Sequence, residues 1–111
     1  MNRVSQNKKF LYKLTLNKKN VQAKLLKEAT DEEIKTIIEI LSNIDQLRLT
    51  DKEKKPIEFH KKSFTKFLKQ KTDVKKLKRF IIKHKPYVIM VISLVLSKLF
   101  YAGVSTILQH F

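Results

Sequence analysis

The sequence predicts an all-α protein: a small hairpin or bundle of three to four helices, with a basic N-terminal arm and a hydrophobic C-terminal helix. Three observations carry this expectation. One glycine and two prolines in 111 residues leave few positions for the positive-φ turns that β-hairpins need. Apolar residues recur at three- and four-residue steps through residues 34–44 and 74–81. Two Thr-x-x-Glu strings, at Thr30–Glu33 and Thr50–Glu53, have the form of capping boxes. The length suits one domain with at most one appended segment. The natural divisions are residues 1–20, a basic arm or short helix; 21–86, a small helical domain with a basic C-terminal half; and 87–111, a hydrophobic C-terminal helix.

Residues 10–17, FLYKLTLN, fit two periods. Tyr12, Leu14 and Leu16 alternate with polar residues as in a strand, while Phe10, Leu11 and Leu14 fit one face of a helix. No turn-flanked partner strand is visible, so a helix or an extended basic arm is expected. The run is too short and too interrupted for a signal-peptide core. Next, ATDEEIKTIIEILSNI (29–44) predicts a helix capped by Thr30 and Glu33, with Asp31, Glu32 and Glu33 on the positive end of its dipole. Ile34, Ile37, Ile38, Leu41 and Ile44 form its apolar stripe, and Ala29 with Ile34 a weak hydrophobic staple.

The short link Asp45–Leu49 predicts antiparallel packing onto a second helix, capped at Thr50 and Glu53. Pro56 is expected to kink or restart that helix and to bias Lys55 away from helical geometry. Ile57, Phe64, Phe67 and Leu68 give its apolar face. Thr72 or Asp73 can cap a third helix, VKKLKRFIIKHK (74–85), with Val74, Leu77, Phe80 and Ile81 inward and its cations outward. Pro86 closes it and suits the first turn of the next.

Charge is distributed unevenly. Residues 1–20 hold six cations and no acid, 21–60 seven cations and nine acids, and 61–86 eleven cations and one acid. The last segment, at +10, points to a polyanionic partner: non-specific double-stranded DNA, an anionic membrane, or both. Its candidate binding residues are Lys61, Lys62, Lys66, Lys69, Lys71, Lys75, Lys76, Lys78, Arg79, Lys83 and Lys85. With 22 lysines against three arginines, point-charge contact to phosphates is favoured over the bidentate reading of base edges. Phe59, Phe64 and Phe67 interleave with these lysines, at a spacing that marks a core stripe more than a base-stacking platform.

The tail opens on YVIMVISLVL (87–96), with Lys98 near the middle of a longer apolar stretch that reads as helix to Leu108. A central lysine opposes membrane insertion by roughly 2.5–3.5 kcal/mol, against about 0.3–0.6 kcal/mol returned by each large aliphatic residue, so the sum leans toward insertion. The candidate membrane or interface residues are Tyr87, Val88, Ile89, Met90, Val91, Ile92, Leu94, Val95, Leu96, Leu99 and Phe100. Ser93, Ser97, Tyr101 and Ser105 lie on one ridge, with Lys98, Ala102 and Thr106 beside it, a weakly polar seam suited to helix packing. A core helix of a packed bundle, with Lys98 at its edge, is the other expectation.

Catalytic chemistry is not signalled. With no cysteine there is no disulfide, thiolate ligand or cysteine nucleophile. His60, His84 and His110 are far apart in sequence and read as solvated surface positions, and no metalloprotease, phosphate-loop or paired-carboxylate motif occurs. A non-enzyme without metal or cofactor is expected.

In order and spacing, LLKEATDEEIKTIIEILSNI, LRLTDKEKK and LKRFIIKHK before an apolar tail resemble the small basic proteins of Polinton-like elements and adintoviruses, which have been likened to the adenovirus core protein X or mu. Leu25-Leu26-Lys27-Glu28-Ala29 matches that family's Leu-Leu-Lys-x-Ala opening, Asn43-Ile44 the end of its acidic helix, and Leu49-Thr50 to Lys55 the following lysine-bearing step. The resemblance covers about residues 22–97. The chain departs where the family has a Gly-Gly pair before a Leu-Pro-containing apolar run; HKPYVIM (84–90) stands there, and Gly103 is isolated. The resemblance implies a minor virion component associated with packaged DNA, the capsid interior or membrane disruption at entry, found in the virion and, in the host cell, in the nucleus or at membranes. Capsid proteins or a second copy would then meet the C-terminal helix. A cellular tail-anchored subunit and a helical assembly module of a larger complex are the alternatives.

Overall fold

The structure, a computed structural model, describes residues 2–44, 49–68 and 73–98. Among these the chain is helical without strands, in seven helices: α1 Asn2–Gln6, α2 Lys8–Leu16, α3 Lys19–Glu28, α4 Asp31–Ser42, α5 Asp51–Leu68, α6 Val74–Lys83 and α7 Lys85–Leu96. The all-α class is as expected, but the helices are shorter and more numerous than three to four. Breaks at Asn7 and at Asn17–Lys18 divide the N-terminal run into short helices, while the break at His84 falls two residues before Pro86, where one helix was expected to give way to the next. Helices this short are marginal in isolation and persist because each lays an apolar face on a shared core.

Residues 10–16 are helix, not strand: Leu11 and Leu14, three apart, are fully buried, whereas Leu16 is 80% exposed. Asn7 at the α1–α2 junction donates through Nδ2 to the Arg3 carbonyl (2.9 Å) and to Thr36 Oγ1 (3.0 Å) on α4. Buried Thr36 in turn donates to the Glu32 carbonyl at 2.8 Å, so its hydroxyl is satisfied. Arg3 adds an ion pair to Glu32 at 2.8 Å.

Both capping boxes are formed. The Thr30 amide donates to Glu33 Oε1 (2.8 Å) and the Glu33 amide to Thr30 Oγ1 (3.1 Å). The Thr50 amide donates to Glu53 Oε1 (2.9 Å) and the Glu53 amide to Thr50 Oγ1 (3.2 Å). Asp73 caps α6 by accepting from the Lys76 amide at 2.9 Å. Pro56 neither ends nor restarts α5, and Lys55 is helical despite preceding it. The proline removes one amide near the start of an 18-residue helix, whose first turn the capping box already holds.

Helices α4 and α7 form the centre: α7 packs on α2, α4, α5 and α6, while α4 packs on α1, α5, α6 and α7. The α4 stripe is wider than predicted. Ile34, Ile37, Leu41 and Ile44 are buried and Ile38 half-buried, but Ile40 and Thr36 are buried as well, because neighbours cover α4 on several sides. The same holds for α7. Tyr87, Val88, Val91, Ile92, Val95 and Leu96 are buried, as expected of a helix apolar all round. Among the described residues no helix is long and apolar enough to cross a membrane. The expected continuation of the last helix to Leu108 lies outside the described residues.

Candidate functional site

Lysines of α5 and α6 project from two helices joined along an aromatic seam. Phe67 stacks on Phe80 with ring centroids 3.7 Å apart and planes within 7°, and Phe64 meets Phe80 edge-on at 4.8 Å. Because Phe64, Phe67 and Phe80 turn inward, their neighbours Lys62 and Lys66 on α5, and Lys75, Lys76, Arg79 and Lys83 on α6, are exposed. None of these six cations is paired with a carboxylate among the described residues. Four-residue steps such as Lys62 to Lys66, or Lys75 to Arg79 to Lys83, separate the charges by about 6 Å along a helix. Lys62, Thr65 and Lys66 also border a depression of ≈ 680 Å³ along one face of α5, together with Glu58 and Lys61.

The remaining predicted cations behave differently. Lys78 does not simply face out: its Nζ donates to the carbonyls of Lys27 (3.0 Å) and Ala29 (2.9 Å), closing the C-terminal end of α3, where the helix dipole favours a cation. Lys85 Nζ donates to the Lys19 carbonyl at 3.0 Å. Lys61 is half-buried. Lys69 and Lys71 lie outside the described residues.

The histidines correct another expectation. His60 and His84 are half-buried rather than solvated, and they meet one aromatic cluster. His60 lies 4.7 Å from Tyr87, while His84 lies 5.3 Å from Phe64 and 4.6 Å from Phe80. Partial burial, then the charges of Lys83 and His60, hold His84 below the ordinary imidazole value. His110 is outside the described residues. Phe59 leaves the predicted stripe altogether: it is 82% exposed, its ring edge against His60 at 5.0 Å.

Of the predicted membrane or interface residues, Ile89, Met90 and Leu94 are half-buried beside the six buried ones, while Leu99 and Phe100 lie outside the described residues. Ser93 and Ser97, the described part of the polar seam, are exposed next to Tyr12, Thr15 and Leu16 of α2. Their aliphatic neighbours take the interior, and the Ser93 hydroxyl is satisfied by the Ile89 carbonyl at 2.8 Å. Lys98 meets Glu53 at 2.9 Å. The Thr50 amide first, then the Lys98 ammonium, hold the Glu53 carboxyl below its ordinary value. The capping motif was visible in sequence; that the same carboxylate receives Lys98 was not, since 45 positions separate them and only the fold brings them together.

No group of His, Asp or Glu among the described residues is arranged to hold a metal ion. No family model, curated protein or solved structure matches the chain.

Proposed function

We propose that this protein is a non-enzymatic minor structural protein of a DNA virus or virus-like element, which binds double-stranded DNA through phosphate contacts. The observation that supports this best is the set of exposed cations on α5 and α6 (Lys62, Lys66, Lys75, Lys76, Arg79 and Lys83) without carboxylate partners among the described residues. A duplex offers one negative charge per about 1.7 Å, so lysines at helical spacing neutralise phosphates without reading bases. The resemblance to the small basic proteins of Polinton-like elements and adintoviruses supports the virion setting. The segment from Tyr87 onward is the proposed contact to capsid or membrane.

The test is a titration of a short random-sequence duplex against salt. Six phosphate contacts give a log–log slope of about −5, hence roughly a thousandfold loss of affinity between about 50 and 200 mM salt. Equal affinity for unrelated duplexes is expected. Absence of binding at low salt would refute the DNA-binding role.

A further inference from the structure

Helices α3 and α6 are tied side by side through two lysines. Lys78 Nζ reaches the carbonyls of Lys27 and Ala29 at the C-terminal end of α3, and Lys85 Nζ reaches the Lys19 carbonyl at its start. This order of bonds makes the two helices antiparallel neighbours, although about 50 to 66 positions separate the bonded residues. Both ammonium groups are engaged by carbonyls and set the register of α3 against α6.

Each of the two helices turns an arc of cations outward. On α6, Lys78 faces α3 and Phe80 faces α5; at about 100° per residue, Lys75, Lys76, Arg79 and Lys83 all fall on the outer arc between them. On α3, Leu26 is buried, while Leu25 and Glu28 border α2 in a depression shared with Lys9, Phe10 and Lys13. Lys24 and Lys27 therefore lie on the arc between α2 and α6, with Lys27 on the α6 side, and both are exposed. Neither is paired with a carboxylate among the described residues. The two arcs adjoin; α6 carries no acid, and the one acid of α3, Glu28, sits at the α2 edge. The cations of α5 point elsewhere. Lys62 and Lys66 lie about 140° and 100° round that helix from Phe67, which faces α6, on a flank that also carries Glu58.

The separation of the two arcs suits a duplex. Packed helices lie about 8–10 Å apart, between the widths of the minor and major grooves, about 6 and 12 Å. Cations at this separation, on long side chains that can adjust, reach phosphates on both strands across one groove. Each helix has 10 residues and so extends about 15 Å. A duplex presents roughly nine phosphates over that length, at one per about 1.7 Å, which is enough for six contacts. A single strand offers only one row.

We propose that the DNA-contacting surface is a two-helix platform: Lys24 and Lys27 of α3 meet one strand, and Lys75, Lys76, Arg79 and Lys83 of α6 meet the other, so that double-stranded DNA is taken in preference to single-stranded. This rests on the DNA-binding role proposed above and assigns two of its six contacts to α3 instead of to Lys62 and Lys66 of α5. The test is the salt dependence of binding to a short duplex and to a single strand of the same length, for the full chain, Lys24→Gln/Lys27→Gln and Lys62→Gln/Lys66→Gln. All four side chains are exposed, and helix content by circular dichroism is expected to be unchanged in both variants. The full chain is expected to bind the duplex more tightly. Removing the α3 pair is expected to flatten the duplex slope from about −5 to about −3.5 while leaving the single-strand slope as it was. Removing the α5 pair is expected to change neither slope. A duplex slope that responds to the α5 pair, or equally to both pairs, overturns the platform while leaving DNA binding standing. Equal flattening for duplex and single strand in the α3 variant overturns the two-strand contact. Absence of duplex binding by the full chain at low salt overturns the DNA-binding role itself.

Discussion

Ile92→Ala separates an α7 that is integral to the core from an apolar tail appended to a folded domain. Ile92 is fully buried at the middle of α7, on a helix that packs against α2, α4, α5 and α6. Truncation removes its apolar contacts and leaves a cavity that four packed helices cannot readily fill, so a loss of about 2–5 kcal/mol is expected. A domain of this size has only about 5–15 kcal/mol of stability in total, and each kcal/mol moves the midpoint by about 4–8 °C. The thermal midpoint should therefore fall by at least about 8 °C, with the urea midpoint falling in parallel at unchanged m-value. Ser93→Ala, one residue along and exposed, is the control and should stay within about 0.5 kcal/mol. Thermal and urea unfolding followed by circular dichroism give both numbers. An Ile92→Ala variant as stable as the control would refute the central placement of α7.

Three further outcomes follow from local geometry. Thr30→Ala removes the acceptor for the Glu33 amide and should lower stability by about 1 kcal/mol, read from the urea midpoint. Pro56→Ala restores an amide opposite the Lys52 carbonyl inside α5 and relieves the ring clash there. Offset by a looser unfolded chain, the net gain should be about 1–2 kcal/mol, and a loss would show that the ring packs favourably. Neutralising Lys75, Lys76, Arg79 and Lys83 to Gln should flatten the salt slope of duplex binding from about −5 to about −2 without altering helix content; an unchanged slope would place the phosphate contacts elsewhere.

Much of the secondary structure was legible because its determinants are local. Thr30 with Glu33, Thr50 with Glu53, and Asp73 with the Lys76 amide are caps made within four residues, so the strings that encode them also predict where α4, α5 and α6 begin. The overall basic character of residues 61–86 was legible too, since it is a property of composition. What sequence reasoning missed was long-range. Lys78 reads as one more outward cation until α3 places its terminal carbonyls 2.9–3.0 Å from it. His60 and His84 read as unrelated until α5 and the α6–α7 break bring them to one aromatic cluster. Phe59 and Phe64 look equivalent in the α5 pattern, yet one is exposed and the other buried, because helix neighbours cover α5 on one side only.

By itself, then, the sequence determined that this chain is helical, where three of its helices start, and that a strongly basic segment abuts an apolar one. These follow from turn chemistry, capping and period, which act over a few residues. Only the tertiary structure decided what the apolar segment faces. Twelve uncharged residues ending near a lysine satisfy a lipid surface and a protein core equally well by hydropathy, and the choice depends on whether other helices supply enough apolar surface and a carboxylate at the right place. Here α2, α4, α5 and α6 supply the surface, and Glu53, already held in its capping box, supplies the carboxylate for Lys98.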